Sequence, residues 1–119
     1  VRKENFFVRL TKKDVCVIAL AELGGAAAVI DTEDAAIAAH AIDRGAFGWK
    51  KYPDRVDLDA ARTTLRHEGE GKSPRIEGSI QKGWHLTPRG VEWIEANPSL
   101  LQYDDHRRSY SGRHATATR

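Results

Sequence analysis

Methionine is missing from all 119 residues, position 1 included, so the chain is expected to have been processed or cut from something longer. Cysteine occurs once, at Cys16, which rules out a disulfide framework and makes a reducing, intracellular setting, read here as the cytoplasm, the default. No apolar run nears the ~20 residues of a membrane span, and no signal-peptide pattern opens the sequence. The histidines, His40, His67, His85, His106 and His114, are scattered, and with one Cys they offer no paired metal-ligand spacing. Gly69 to Gly71 precedes no helix and so makes no phosphate-cradling loop, and no nucleophile motif is present. These absences leave no cofactor, metal or catalytic constellation to expect, and no membrane partner.

What remains is ordinary in amount and uneven in placement. Apolar residues make up 40% and charged residues 30%, enough for one hydrophobic core plus a tail. The net charge of +2 hides a segregation. Residues 1–13 hold five Lys/Arg against one acid, and residues 14–43 hold six acids and no Lys or Arg. Residues 44–90 then hold ten Lys/Arg against six acids. A basic half beside an acidic half asks for an anionic partner, with nucleic acid one candidate.

Local signals divide the chain into a basic lead-in over 1–10, a domain over 11–97 and a mostly disordered tail or linker over 98–119. Thr11-Lys12-Lys13-Asp14 reads as a capping box. The run from Val15 to Ala21 is apolar on all faces, so its helix should be central, with Cys16 a small core residue. Ala27 to Ile30 is expected as a short strand. Asp31 or Thr32 then caps a second helix with Ile37, Ala38, Ala41 and Ile42 as its buried stripe and His40 outward, ended by Gly45. Phe47 to Pro53 mixes aromatics with cations and reads as an irregular connection. Asp57 caps a third helix over about 58–67, with Leu58, Ala61 and Leu65 facing the core. A hairpin follows over about 75–86, turning at Gln81-Lys82-Gly83, and Thr87-Pro88 starts a fourth helix.

The octapeptide Gly83-Trp84-His85-Leu86-Thr87-Pro88-Arg89-Gly90 resembles the Gly-aromatic-x-Leu-Thr-x-x-Gly with which many bacterial winged helices close the wing and enter the next helix. Across roughly residues 10–97 the order helix, strand, helix, helix, β-hairpin, helix is similar to a winged helix-turn-helix domain, an α+β and mostly α fold. MarR-type regulators and the DNA-reading modules of bacterial restriction or phage-defence systems share this pattern. The chain departs from a simple helix-turn-helix in the long link over about 45–56. The resemblance implies binding of double-stranded DNA, as a transcriptional regulator or the DNA-reading module of a larger protein. The third helix would enter the major groove with Arg62, Thr63 and Arg66 reading bases, seconded by Thr64 and His67. Lys50, Lys51, Tyr52, Lys72, Arg75, Lys82 and His85 would contact the backbone, and the acidic second helix would face away from the duplex.

Two rival readings stand beside this one. The chain could be a protein-interaction module, with Trp93, Leu100, Leu101 and Tyr103 forming a homodimer seam or the dock for an adjoining domain. The remote alternative is a metal-dependent nuclease using Asp54, Glu70 and Lys72, from the bare pattern Pro-Asp…Glu-x-Lys.

Overall fold

The computed structural model describes residues 10–100. Helix α1 spans Lys12–Glu22 and opens on the capping box. Thr11 Oγ1 accepts from the Asp14 amide at 3.1 Å, and Asp14 Oδ2 accepts from the Thr11 amide at 3.0 Å. Every residue from Val15 to Leu20 is buried, so α1 is the central rod on which the other elements pack. A helix apolar all round can only be covered all round.

Helix α2, Thr32–Ile42, is capped by Asp31, whose Oδ2 accepts from the Glu33 amide at 2.9 Å. Its buried stripe is Ala35, Ala36, Ala39 and Ile42, one step round from the expected one, and Ile37 faces solvent. Small alanines let α2 lie close on α1, which sets that rotation. A second helix begins where the first was expected to run on to Gly45. Asp43 Oδ1 accepts from the Ala46 amide, and α3, Arg44–Phe47, carries Phe47 into the core with no exposed surface. The connection read as irregular is therefore anchored by one of the largest core side chains.

Helix α4 spans Leu58–Gly69, capped by Asp57, with Ala61, Thr64, Leu65 and Glu68 buried. Strands β1, Ile76–Ser79, and β2, Gly83–Leu86, pair antiparallel with Ile76 opposite Leu86 and Ser79 opposite Gly83. The turn is thus Ile80 to Lys82, and Gly83 already belongs to β2. The strand expected over 27–30 shrinks to one bridge, in which Ile30 and Trp84 exchange both backbone hydrogen bonds at 2.7 and 2.8 Å. Trp84 is buried through its ring and satisfied through its indole, which donates to Thr32 Oγ1 at 3.0 Å, while Thr32 donates on to Ile80 O. One buried hydroxyl therefore ties the hairpin to the start of α2.

Helix α5, Pro88–Ala96, starts as read, with Thr87 Oγ1 accepting from the Gly90 amide and donating to Pro74 O. The domain runs past residue 97: Leu100, assigned to the extension, is buried with the core. Leu101 and Tyr103 lie outside the described residues. The molecule is a compact α+β fold, mostly helical, with one two-stranded hairpin packed across α1 and α4. Among the described residues no helix is long and apolar enough to cross a membrane.

Candidate functional site

The core row of α4 fixes its outward row. Because Ala61, Leu65 and Glu68 point inward, Asp59, Thr63, Arg66 and Glu70 line the opposite side at i, i+4, i+7 and i+11, flanked by Arg62 and His67. Arg62, Arg66 and His67 are exposed and Thr63 is half-buried. Thr64, expected beside them, faces the interior, and its hydroxyl donates back to Ala60 O at 2.8 Å. It falls on the core row, three residues after Ala61, so it is not available to a base.

The C-terminal end of α4 and the hairpin enclose a groove of about 310 Å³. Arg66, Gly69 and Glu70 form one wall, Gly78 to Gln81 the other, and Trp84 the floor. Arg66 thereby faces the hairpin turn, at whose far end stands the exposed Lys82. Arg66 is loosely paired with Glu70 at 3.9 Å, both side chains about half exposed or more. The surface is therefore mixed in charge along α4, with acids at each end of the outward row. On the hairpin, His85 is half-buried, its Nε2 3.9 Å from Glu77 Oε1.

Arg75 is not a surface cation. Its Nε and Nη2 donate to the two carboxylate oxygens of Glu68 at 2.9 and 3.0 Å, and its Nη1 donates to Asp14 Oδ1 at 2.8 Å. The guanidinium lies 4.5 Å from the centre of the Trp93 ring. The expected phosphate contact is thus consumed inside the fold, joining α1, α4, β1 and α5. Burial opposes the charge on Glu68, but the bonds and charge of Arg75, with Lys13 beyond, outweigh it and hold the carboxyl below its usual range. Burial likewise opposes the charge on Arg75, and Glu68 and Asp14 more than restore it. The sequence did hold a signal for this: Ala61, Thr64, Leu65 and Glu68 recur at i, i+3, i+4 and i+7, so Glu68 rides the core face and requires a cation. Cys16 lies nearby, and burial together with the Glu68 charge pushes its thiol up to about 12. It is an inert core residue, as read.

Before α4, the link closes on itself through a bridge between Gly48 and Val56. A side chain at Gly48 would meet the carbonyl oxygens of Arg44 and Pro53, both at 2.5 Å, so only glycine permits this closure. Tyr52 and Trp49 pack edge to face, 6.3 Å between centres, with Arg55 over both rings and Lys51 over Tyr52. Lys51 and Tyr52, expected on phosphates, belong to this cluster, together with Trp49 and Arg55, to which the sequence reading gave no role. Lys50 and Lys72 are exposed.

Of the four residues read as a possible partner face, two lie among the described residues: Trp93 is covered in part by Arg75, and Leu100 is buried. The structure does not assemble the nuclease pattern. Asp54 precedes α4 and pairs with Arg44, whereas Glu70 and Lys72 follow α4, whose 12 residues extend over ~18 Å. Among the described residues no group of three His, Cys, Asp or Glu side chains could hold a metal ion. No protein-family model, curated protein or solved structure matches the chain.

Proposed function

We propose that the chain binds double-stranded DNA as a winged helix, with α4 in the major groove and the β1–β2 hairpin against the backbone. The carrying observation is the groove in which Arg66 of α4 faces residues 78–81 of the hairpin, so that the end of α4 and the hairpin turn offer one partner a shared surface. Arg62, Arg66, Thr63 and His67 are the base-facing side chains, and Lys50, Lys72 and Lys82 the phosphate contacts. Thr64 and Arg75 drop out. The pairing of Arg66 with Glu70 does not stand in the way. An exposed i,i+4 pair is worth about 0.3–0.5 kcal/mol, whereas a bidentate Arg–guanine contact is worth about 1–3 kcal/mol. Glu70 instead repels a misplaced phosphate, which favours selectivity over general affinity. The described residues carry 12 Lys/Arg against 14 Asp/Glu, so the pull on bulk DNA should be modest and the base contacts decisive. Such a domain serves as a transcriptional regulator or as the reading module of a larger protein.

Fluorescence anisotropy on random and selected duplexes tests this. Arg62→Ala or Arg66→Ala should cost about 1–3 kcal/mol and relax base preference. Lys82→Ala should weaken all duplexes alike and lower the salt slope by roughly one. No binding at low salt, or identical behaviour of both kinds of variant, would refute the assignment.

A further inference from the structure

The described residues expose four large apolar side chains: Val29 at 59%, Ile37 at 58%, Tyr52 at 52% and Trp49 at 47%. Three of them border a single face. Ile37 stands on the outward row of α2, one turn before His40, and Arg44 opens α3 just beyond the end of α2. The 48–56 loop is fastened to that same end of α2, since His40 Nε2 bonds Pro53 O at 2.7 Å and Arg44 pairs with Asp54. Trp49 and Tyr52 ride on the loop, and backbone bonds from Trp49 to Arg55 and from Arg55 to Tyr52 hold it in shape. The face therefore has a direction. At the N-terminal end of α2 lie exposed Glu33 and Asp34, Ile37 follows, and at the far end the aromatics carry Lys51 and Arg55. Asp54, the acid inside the loop, is already taken by Arg44.

We infer that this face binds a second copy of the same chain in a two-fold dimer. A two-fold axis near His40 lays the acidic end of one protomer on the basic end of its partner, twice over, and closes Ile37 of each against the aromatic loop of the other. An isologous interface needs one patch that complements itself, and a patch running acid, apolar, base does so when turned end for end. Trp, Tyr and Arg are also the residue types that most often anchor protein interfaces. The rigid loop enters the contact already ordered, which lowers the entropic cost of association. The inference stands apart from DNA binding, because the cations used here are Lys51 and Arg55.

Sedimentation velocity on the full chain across a wide concentration range is the test, with circular dichroism checking that each variant is folded. The unaltered chain should pass from monomer to dimer, more readily at low salt. Ile37→Ser, at an exposed site, should weaken dimerisation about tenfold or more, and Trp49→Ala likewise. The decisive experiment uses two charge-reversed variants, Glu33→Lys/Asp34→Lys and Lys51→Glu/Arg55→Glu. Each alone should remain monomeric, and their mixture should dimerise, because reversal on one side restores both contacts. A chain monomeric at every concentration, or folded variants whose mixture stays monomeric, overturns the proposal. So does a monomer whose Trp49 fluorescence responds to a single-stranded oligonucleotide, which would assign the face to nucleic acid.

Discussion

Arg75 shows how much one side chain can be asked to do. Its three donors satisfy two carboxylates on different helices, its plane stacks on Trp93, and its backbone accepts from Thr87 at the start of α5. Removing one partner of a buried pair costs about 3–5 kcal/mol, because the remaining charge stays buried without its counter-ion. Arg75→Ala should therefore unfold at markedly lower urea. Arg75→Lys, which keeps the charge and loses the fork that spans Glu68 and Asp14, should fall between it and the parent. Equal midpoints for all three proteins would mean that the cluster contributes nothing to stability.

Among the elements, two glycines in helical segments make opposite demands. At Gly45 in α3 the nearest atom to an added Cβ is Asp43 Oδ1 at 3.6 Å, an ordinary contact. Gly45→Ala should stabilise by about 0.5–1 kcal/mol, through the restricted unfolded chain and the better helix former. At Gly90 in α5 the same Cβ would lie 2.1 Å from Arg75 O and 3.0 Å from its carbonyl carbon. Backbone cannot yield as a side-chain tip does, so α5 would have to lift off β1, at a cost of about 1–3 kcal/mol for overpacking. Helix propensity is worth less than that and loses. Urea midpoints moving in opposite directions for Gly45→Ala and Gly90→Ala would bear this out, and a shared sign would refute it.

For the whole molecule, the depressed Glu68 carboxyl links stability to pH. A group whose folded pKa lies below its unfolded value of about 4.5 binds protons more weakly in the native state. Its contribution is complete above the unfolded value and is lost as pH falls from there through the folded value. The parent should thus lose stability on acidification through that window. Glu68→Gln should start less stable, because the amide cannot hold Arg75 as a charge, and should lose less over the same interval. Thermal melts between neutral pH and pH about 3 would show the two curves converging; parallel curves would mean that another carboxylate governs the acid limb.

At this same scale, what was legible in the sequence depended on range. The caps at Thr11, Asp31, Asp57 and Thr87, the buried α1, the hairpin and the inert Cys16 were readable because each rests on residues within a turn or two of one another. The chain alone therefore determined where its four longer helices start, that α1 is apolar on every side and that a hairpin precedes α5. Tertiary packing decided the rest. The rotation of α2 followed from alanines fitting against α1, which left Ile37 outside. Arg75 was drawn inward by Asp14 and Glu68, the first 61 residues away in sequence. Phe47, in a stretch that read as loop, became core because a four-residue helix aimed it there. Of the candidate site, Arg62, Arg66 and His67 could be placed from the period of α4 alone. The groove that Arg66 shares with the hairpin, the loss of Arg75 and Thr64, and the aromatic loop beside α2 arose only from contacts between distant segments, to which a local pattern is blind.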